Sequence, residues 1–259
     1  MFNVRAIWFL GFLSLSYLVY LSVTTGAWGI FLLSFVYYKI VSLFGNQIAM
    51  HRYFSHKSFK TSKTKHTLLC FLSILIGQDS PVMYASGHRH HHVYSDKDKD
   101  LHSPLNQSFF QLCFWSWQRK EWFIEHKKVR LAVDLLKDPL VAFIHNHYIL
   151  IWALIIAVVG AISWKFLVLF VLPCVAFNAI HMTLFRVYFV HVKLPGSYRN
   201  FETQDYSWNN KFLQILDIGE GLHNNHHMYP NKYDQAVVKG EFDPAGWIVK
   251  KFLEKKNNE

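Results

Sequence analysis

Residues 7–44 read IWFLGFLSLSYLVYLSV (Ile7 to Val23), TTG (Thr24-Thr25-Gly26) and AWGIFLLSFVYYKIVSLF (Ala27 to Phe44). Each apolar segment approaches the ~20 residues that an α-helix needs to cross a hydrocarbon core. The small and polar residues between them mark a reversal. A hairpin of two spans returns the chain to the side it left. A second hairpin is expected from Tyr148 to Ile162 and from Trp164 to Phe185, bending at Gly160-Ala161. The expected fold is an all-α membrane protein in which residues 1–259 form a single integral-membrane domain. Four transmembrane helices in two hairpins would stand beneath a helical cap built from residues 45–147 and 191–259.

The charges agree with this topology. Of the 27 Lys and Arg, only Lys39, Lys165 and Arg186 fall between Ile7 and Phe44 or between Tyr148 and Val190, leaving 24 on the shared face. The excess of basic residues on cytoplasmic segments makes that face, and both termini, cytoplasmic. The net charge of +10 then reflects topology rather than nucleic-acid binding. Charged residues make up 17% of the chain, against about 25% in an average soluble domain. A mean hydropathy of only +0.11 indicates apolar segments diluted by long polar stretches. This composition excludes disorder, collagen and coiled coil. Cys70, Cys113 and Cys174 are odd in number and scattered, which excludes a disulfide scaffold. The run Thr67 to Ile76 is too short to span and reads as a buried or interfacial helix.

Histidine is the unusual residue, with 16 copies beside 17 acidic residues. Three clusters stand out: His51-Arg-Tyr-Phe-Ser-His56, His88-Arg-His-His-His92 and His223-Asn-Asn-His226-His227. The second and third share the pattern HxxHH, which on a helix sets three imidazoles on one face. In the first, a separation of five residues turns two α-helical side chains about 140° apart. His56 joins His51 only if the helix ends or bends there, or if the two serve different metal ions. Each cluster lies just past an apolar segment, so topology can gather all three. Eight imidazoles exceed one tetrahedral zinc site and suit two transition-metal ions. His66, His102, His126, His145 and His147 show no such pattern, and His90 interrupts the second box and points away from the metal face. The zinc-protease HExxH is absent, and a carboxylate-rich di-iron bundle needs two ExxH motifs where only Glu220 to His223 offers one.

These boxes resemble those of the membrane-bound fatty acid desaturases, specifically the delta-9 acyl-CoA and acyl-lipid, stearoyl-CoA desaturase-like type. HRYFSH is similar to the first box of that family. HRHHH with Ser95-Asp96 and Asp100-Leu-His-Ser-Pro104 is similar to the second. Asp205-Tyr-Ser-Trp-Asn-Asn210 with Gly219-Glu-Gly-Leu-His-Asn-Asn-His-His227 is similar to the third, and Asp243-Pro-Ala-Gly-Trp247 to its C-terminal signature. The resemblance implies two iron ions (Fe2+) held by nine histidines: His51, His56, His88, His91, His92, His223, His226, His227 and one more. The ninth is His191, with His181 as the alternative. In the family an Asn usually precedes the ninth His by four residues. Here Val187 holds that position before His191, while Asn178 precedes His181 by three. Tyr84 likewise replaces the family's Trp.

The implied reaction uses O2 to introduce a cis double bond, at delta-9, into a saturated acyl-CoA or acyl-lipid chain. Asp96, Asp205 and Glu220 are expected to orient the histidines through their second ring nitrogens. Arg52 and Arg89 are expected to meet an anionic head group, and Tyr37, Ile40, Phe44 and Gln47 to line or close an acyl tunnel. The chain lacks HPGG, CxxC and a complete GxGxxG, so it carries no heme or flavin, and a ferredoxin, cytochrome or similar carrier must supply electrons at the basic face. Two rival readings are a His-box hydroxylase or ketolase and a membrane metal transporter. A transporter would place its ligands near the bilayer midplane rather than past the spans.

Overall fold

The computed structural model describes residues 2–100, 103–108, 112 and 130–255. Cys113 and His126, and with them His102 and most of the stretch between residues 109 and 129, lie outside the described residues.

Long runs of predominantly apolar residues produce long helices. α1 covers Phe2–Thr25, and Gly26, at φ 71°, turns the chain into α2, Trp28–Ser42. The second helix does not end at Phe44. It continues as a wider helix over Leu43–Ser55, so the same long helix carries His51. α3 (Lys63–Leu75) contains most of the short apolar run and buries Leu69, Cys70, Ser73 and Ile74. α4 (Pro81–Tyr94) starts where local chemistry dictates. The Ser80 hydroxyl accepts from Met83 N–H and proline occupies the first turn. A short 3-10 turn at Val133–Lys137 precedes α5 (Pro139–Phe166), which Asp138 caps in the same way.

The expected break at Gly160-Ala161 falls instead at Ser163, whose backbone leaves the helical region (φ −158°, ψ 95°). The cause is local: the Ser163 hydroxyl accepts from Phe166 N–H at 3.2 Å and starts the following helix as an N-cap would. The chain continues through wide turns at Leu167–Val171 and Met182–Tyr188 that flank α6 (Leu172–His181). Among the described residues, three helical stretches are long and apolar enough to cross a membrane: Val4–Thr25, Trp28–Ser55 and the 50-residue Pro139–Tyr188. α1 packs along α6 at a distance that requires glycine. A Cβ on Gly11 would stand 3.0 Å from Leu172 O and 3.2 Å from Ala176 N.

The remainder is polar and consists of short elements joined by turns and irregular chain. β1 (Ser197–Tyr198) pairs antiparallel with β2 (Asn209–Asn210). Three helical pieces follow: α7 (Lys211–Asp217), α8 (His223–Met228), and α9 (Pro244–Ile248), which runs on through Leu253. The main apolar core joins spans to cap through Ile48, Leu69, Ile74, Val82, Ile144 and Trp152.

Candidate metal centre

The wider helix resolves the spacing of the first box. With i→i+5 hydrogen bonding, residues five apart stand about one turn apart, and His56 N–H donates to His51 O at 3.2 Å. Their rings meet at 5.0 Å. On α4 and α8 each HxxHH triplet divides, because adjacent histidines are rotated by about 100°. α4 sends His88 and His92 one way and His91 the other. α8 sends His226 one way and His223 with His227 the other. Two groups result, His51–His56–His88–His92–His226 and His91–His191–His223–His227, each with its ligand atoms within 4.8 Å of one another.

Within the first group, Nε2 of His51 lies 3.0 Å from Nε2 of His226. That of His226 lies 3.0 Å from His92, and that of His92 3.0 Å from His88. In the second group, Nε2 of His223 is 3.1 Å from His191 and 3.0 Å from His227. In four of the nine, the second ring nitrogen faces a carboxylate. Nδ1 of His51 meets Glu220 at 2.9 Å, His191 meets Asp96 at 2.9 Å, and His227 meets Asp205 at 2.7 Å. Asp100, which the sequence reading left without a role, meets Nδ1 of His91 at 2.9 Å. It belongs to the motif that follows the second box, and that was its only sequence signal.

These contacts fix protonation. A carboxylate at Nδ1 holds the proton there and turns a bare Nε2 lone pair into the group. Lone pairs of several neutral imidazoles facing one another repel unless a cation lies between them. Nitrogens about 2.1 Å from one cation and at right angles stand about 3 Å apart, which is the spacing present. The donor set therefore fits two transition-metal ions. Burial, reinforced by neighbouring imidazoles, holds His56, His88, His92, His223 and His226 well below the ordinary histidine pKa, in the neutral form that ligates metals. Burial lowers His227 to about 4 despite Asp205. His91 moves upward, because its bond to Asp100 outweighs burial. Burial disfavours the Glu220 anion, yet His51 and Arg52 hold its carboxyl below the usual range.

The loop that presents α8 depends on glycine. A Cβ on Gly221 would lie 2.1 Å from the backbone nitrogen of Gln214, so no other residue lets the chain pass α7 there.

Other expected residues are placed differently. Arg52 is only 1% exposed, and its guanidinium donates to Glu220 at 2.7 Å and Asp243 at 3.0 Å. Arg89 donates to the Phe54 and Ser55 carbonyls and to Asp134, closing the end of the widened helix. Buried carboxylates claim the Arg52 guanidinium, so it is not turned to a head group, whereas Arg89 is partly exposed and pairs with the partly exposed Asp134. His181 stays outside both groups, 2.8 Å from Asp217, whereas His191 lies inside the second. The His90 ring lies 4.7 Å from that of Tyr94, tilted by 45°, and joins neither group. A cavity opens between the groups, bordered by His51 and His88 of one and His91 and His223 of the other, with Met83, Tyr84, Met182 and Val187 as apolar wall. From the second span Asn46 borders it. Gln47 instead donates to the Asp217 carbonyl, and Ile40 is 55% exposed on the outer flank. Tyr84 stacks on His88 with ring centroids 5.8 Å apart.

The geometry agrees with comparisons to known proteins. Residues 26–239 match the family described as Fatty acid desaturase. Acyl-CoA 5-desaturase AL21 of Anemone leveillei is 29% identical over 89% of this chain and 70% of its own length. The sn-2 palmitoyl-lipid 9-desaturase of Nostoc sp. (strain 36) is 30% identical over 84% of this chain and 76% of its own. The Delta-9 acyl-lipid desaturase 2 of Arabidopsis thaliana is 26% identical over 87% and 72%. With boxes, carboxylates and sequence kinship in agreement, the chain belongs to the fatty acid desaturase family and is an enzyme of that kind.

Proposed function

We propose that the protein is an oxygen-dependent acyl desaturase that introduces a cis double bond, at delta-9, with two iron ions. Five histidines hold one iron and four hold the other. The observation that carries this reading is the pair of histidine groups, oriented by carboxylates, with one cavity between them. Iron bound there supplies the one-electron chemistry with O2 that breaking unactivated C–H bonds demands. The overall change converts adjacent methylenes, O2, two electrons and two protons into a double bond and two waters.

The chain's own residues bind, orient and exclude. Met83, Met182 and Val187 offer an apolar wall to the acyl chain, while the histidines that border the cavity bring the reacting carbons beside both groups. Asp96, Asp100, Asp205 and Glu220 hold their histidines in one tautomer and one orientation. The break at Ser163 divides the Pro139–Tyr188 stretch into two crossings, giving four in all, with both termini and the active site cytoplasmic. Electrons come from a separate ferredoxin- or cytochrome-like carrier, and the substrate is a long-chain acyl-CoA or acyl-lipid. Expression in cells that make no unsaturated fatty acids, followed by mass spectrometry with double-bond localisation, tests the reading. A product lacking two hydrogens, unsaturated at carbon nine, and two irons per chain are expected. A product that gains oxygen overturns it.

A further inference from the structure

α7 carries an apolar face that the rest of the protein leaves uncovered. Phe212 and Ile215 are 67% and 75% exposed, and Leu216 beside them is exposed as well. These positions follow the i, i+3, i+4 spacing of one helix face. The opposite side, Leu213, Gln214 and Asp217, is buried.

The helix is fastened at its C-terminal end to the spans. Lys39, deep in the second apolar stretch, extends its ammonium to Leu216 O at 2.5 Å and approaches the Asp217 carboxylate at 4.0 Å. Arg186 grips the same carboxylate with Nε and a terminal nitrogen at 2.9 and 2.8 Å. Its side chain also donates to Ser42 at 2.8 Å, and His181 stands 2.8 Å from Asp217. Lys39, Ser42, His181 and Arg186 all belong to the stretches long enough to cross a membrane. A lysine there keeps its stem in apolar surroundings and sends its charge toward the polar boundary, and this one finds the end of α7. On the flank of the second stretch, Val36 and Ile40 are exposed as lipid-facing residues would be. Lys39, between them in that stretch, bonds the Leu216 carbonyl, so the exposed end of α7 is tied to the same stretch.

We infer that α7 is a membrane-inserted helix, its Phe212–Ile215–Leu216 face seated among lipid acyl chains and its polar end pinned to the spans by Asp217. It seats the following Gly219–His227 segment, which presents Glu220, His223, His226 and His227, against the bilayer from which an acyl chain enters. This rests on the reading of the three apolar stretches as membrane spans.

Nitroxide labels at Phe212→Cys and Ile215→Cys, in a Cys113→Ser background in lipid nanodiscs, test it. Leu33→Cys serves as the span control and Lys193→Cys as the cap control, with collisional relaxation by O2 and by a water-soluble nickel chelate as readouts. Labels at 212 and 215 should relax with O2 and resist the chelate as the label at 33 does, with the one at 193 behaving oppositely. Chelate access at both 212 and 215, with the label at 33 still lipid-exposed, overturns the inference alone. Chelate access at 33 overturns the membrane reading beneath it. Spin–spin broadening that disappears on dilution with unlabelled protein identifies a second copy, not lipid, as the occupant and also overturns the inference. Iron content of each variant, matched to the unsubstituted protein, verifies folding, and the two labelled positions serve as independent variants.

Discussion

Acidification of the metal-free protein should destabilise it well above the pH at which its carboxylates titrate. An ordinary histidine takes up a proton near pH 6.5, and the unfolded chain does so. In the folded protein, burial and neighbouring imidazoles keep His56, His88, His92, His223 and His226 neutral far below that point, and burial takes His227 to about 4. Between those values the unfolded state binds more protons, so stability rises with pH up to about 6.5 and falls as pH drops beneath it. One pH unit below 6.5, each such histidine costs roughly 1 kcal/mol. His91 acts in the opposite direction, since its pairing with Asp100 outweighs burial and favours its protonated form. Asp96, Asp205 and Glu220, held below their ordinary range, lose their contribution only as pH falls past about 4. The net cost at pH 5.5 is then roughly 5 kcal/mol, a large share of the 5–15 kcal/mol that typically holds a protein folded. At about 2–4 °C per kcal/mol, Tm should fall by roughly 10–20 °C between pH 7.5 and 5.5. Fluorescence-detected gel filtration after heating, on protein stripped with a chelator, measures this. Loading with iron should move the decline to lower pH, because metal and proton compete for the same nitrogens. A Tm that stays level or rises between pH 7.5 and 5.5 would refute the claim that these imidazoles are buried and neutral.

Three further outcomes are expected. Asp205→Asn and Asp100→Asn, which lose the carboxylate at His227 and His91, should each weaken metal retention about 10–100-fold while leaving the chain folded, as competition with a graded chelator would reveal. His191→Ala should lower the iron-to-protein ratio and His181→Ala should not, since only His191 stands in a histidine group. Arg52→Met leaves the buried Glu220 and Asp243 carboxylates without their cation, and thermal unfolding should register a loss of about 3–5 kcal/mol.

What was legible in the sequence is local chemistry. Apolar length announced three helical stretches long and apolar enough to cross a membrane, but the third begins at Pro139, behind the Asp138 cap, and not at Tyr148. Helical spacing marked the HxxHH imidazoles as neighbours, although each triplet divides between two groups. Where elements end was less legible. Gly160-Ala161 is the better breaker by composition, yet Ser163 has a hydroxyl within reach of Phe166 N–H and the break falls there. The second helix runs eleven residues beyond Phe44, to Ser55, since nothing local stops it and the core formed by Ile48, Ala49 and Phe54 rewards its continuation.

The site shows why a motif alone does not specify a metal centre. An i, i+3, i+4 triplet reads as one convergent set, but the adjacent histidines of each pair diverge by about 100° and so address different centres. Whether His56 meets His51 depends on a widening of the helix that five-residue spacing cannot announce, because packing rather than propensity selects it. Two of the orienting carboxylates come from distant sequence: Asp96 is 95 residues from His191, and Glu220 is 169 from His51. Arg52 illustrates the converse error. Beside His51 in sequence it is expected to meet an anionic head group, yet its partners Glu220 and Asp243 lie 168 and 191 residues away, and only the folded chain buries all three together. Glu220 thereby answers to two groups at once, orienting His51 and neutralising Arg52. Moving the α8 loop would disturb His51 and leave the buried Arg52 charge unpaired in a single step, so the arrangement that aims the imidazoles also fastens that loop to the second helix.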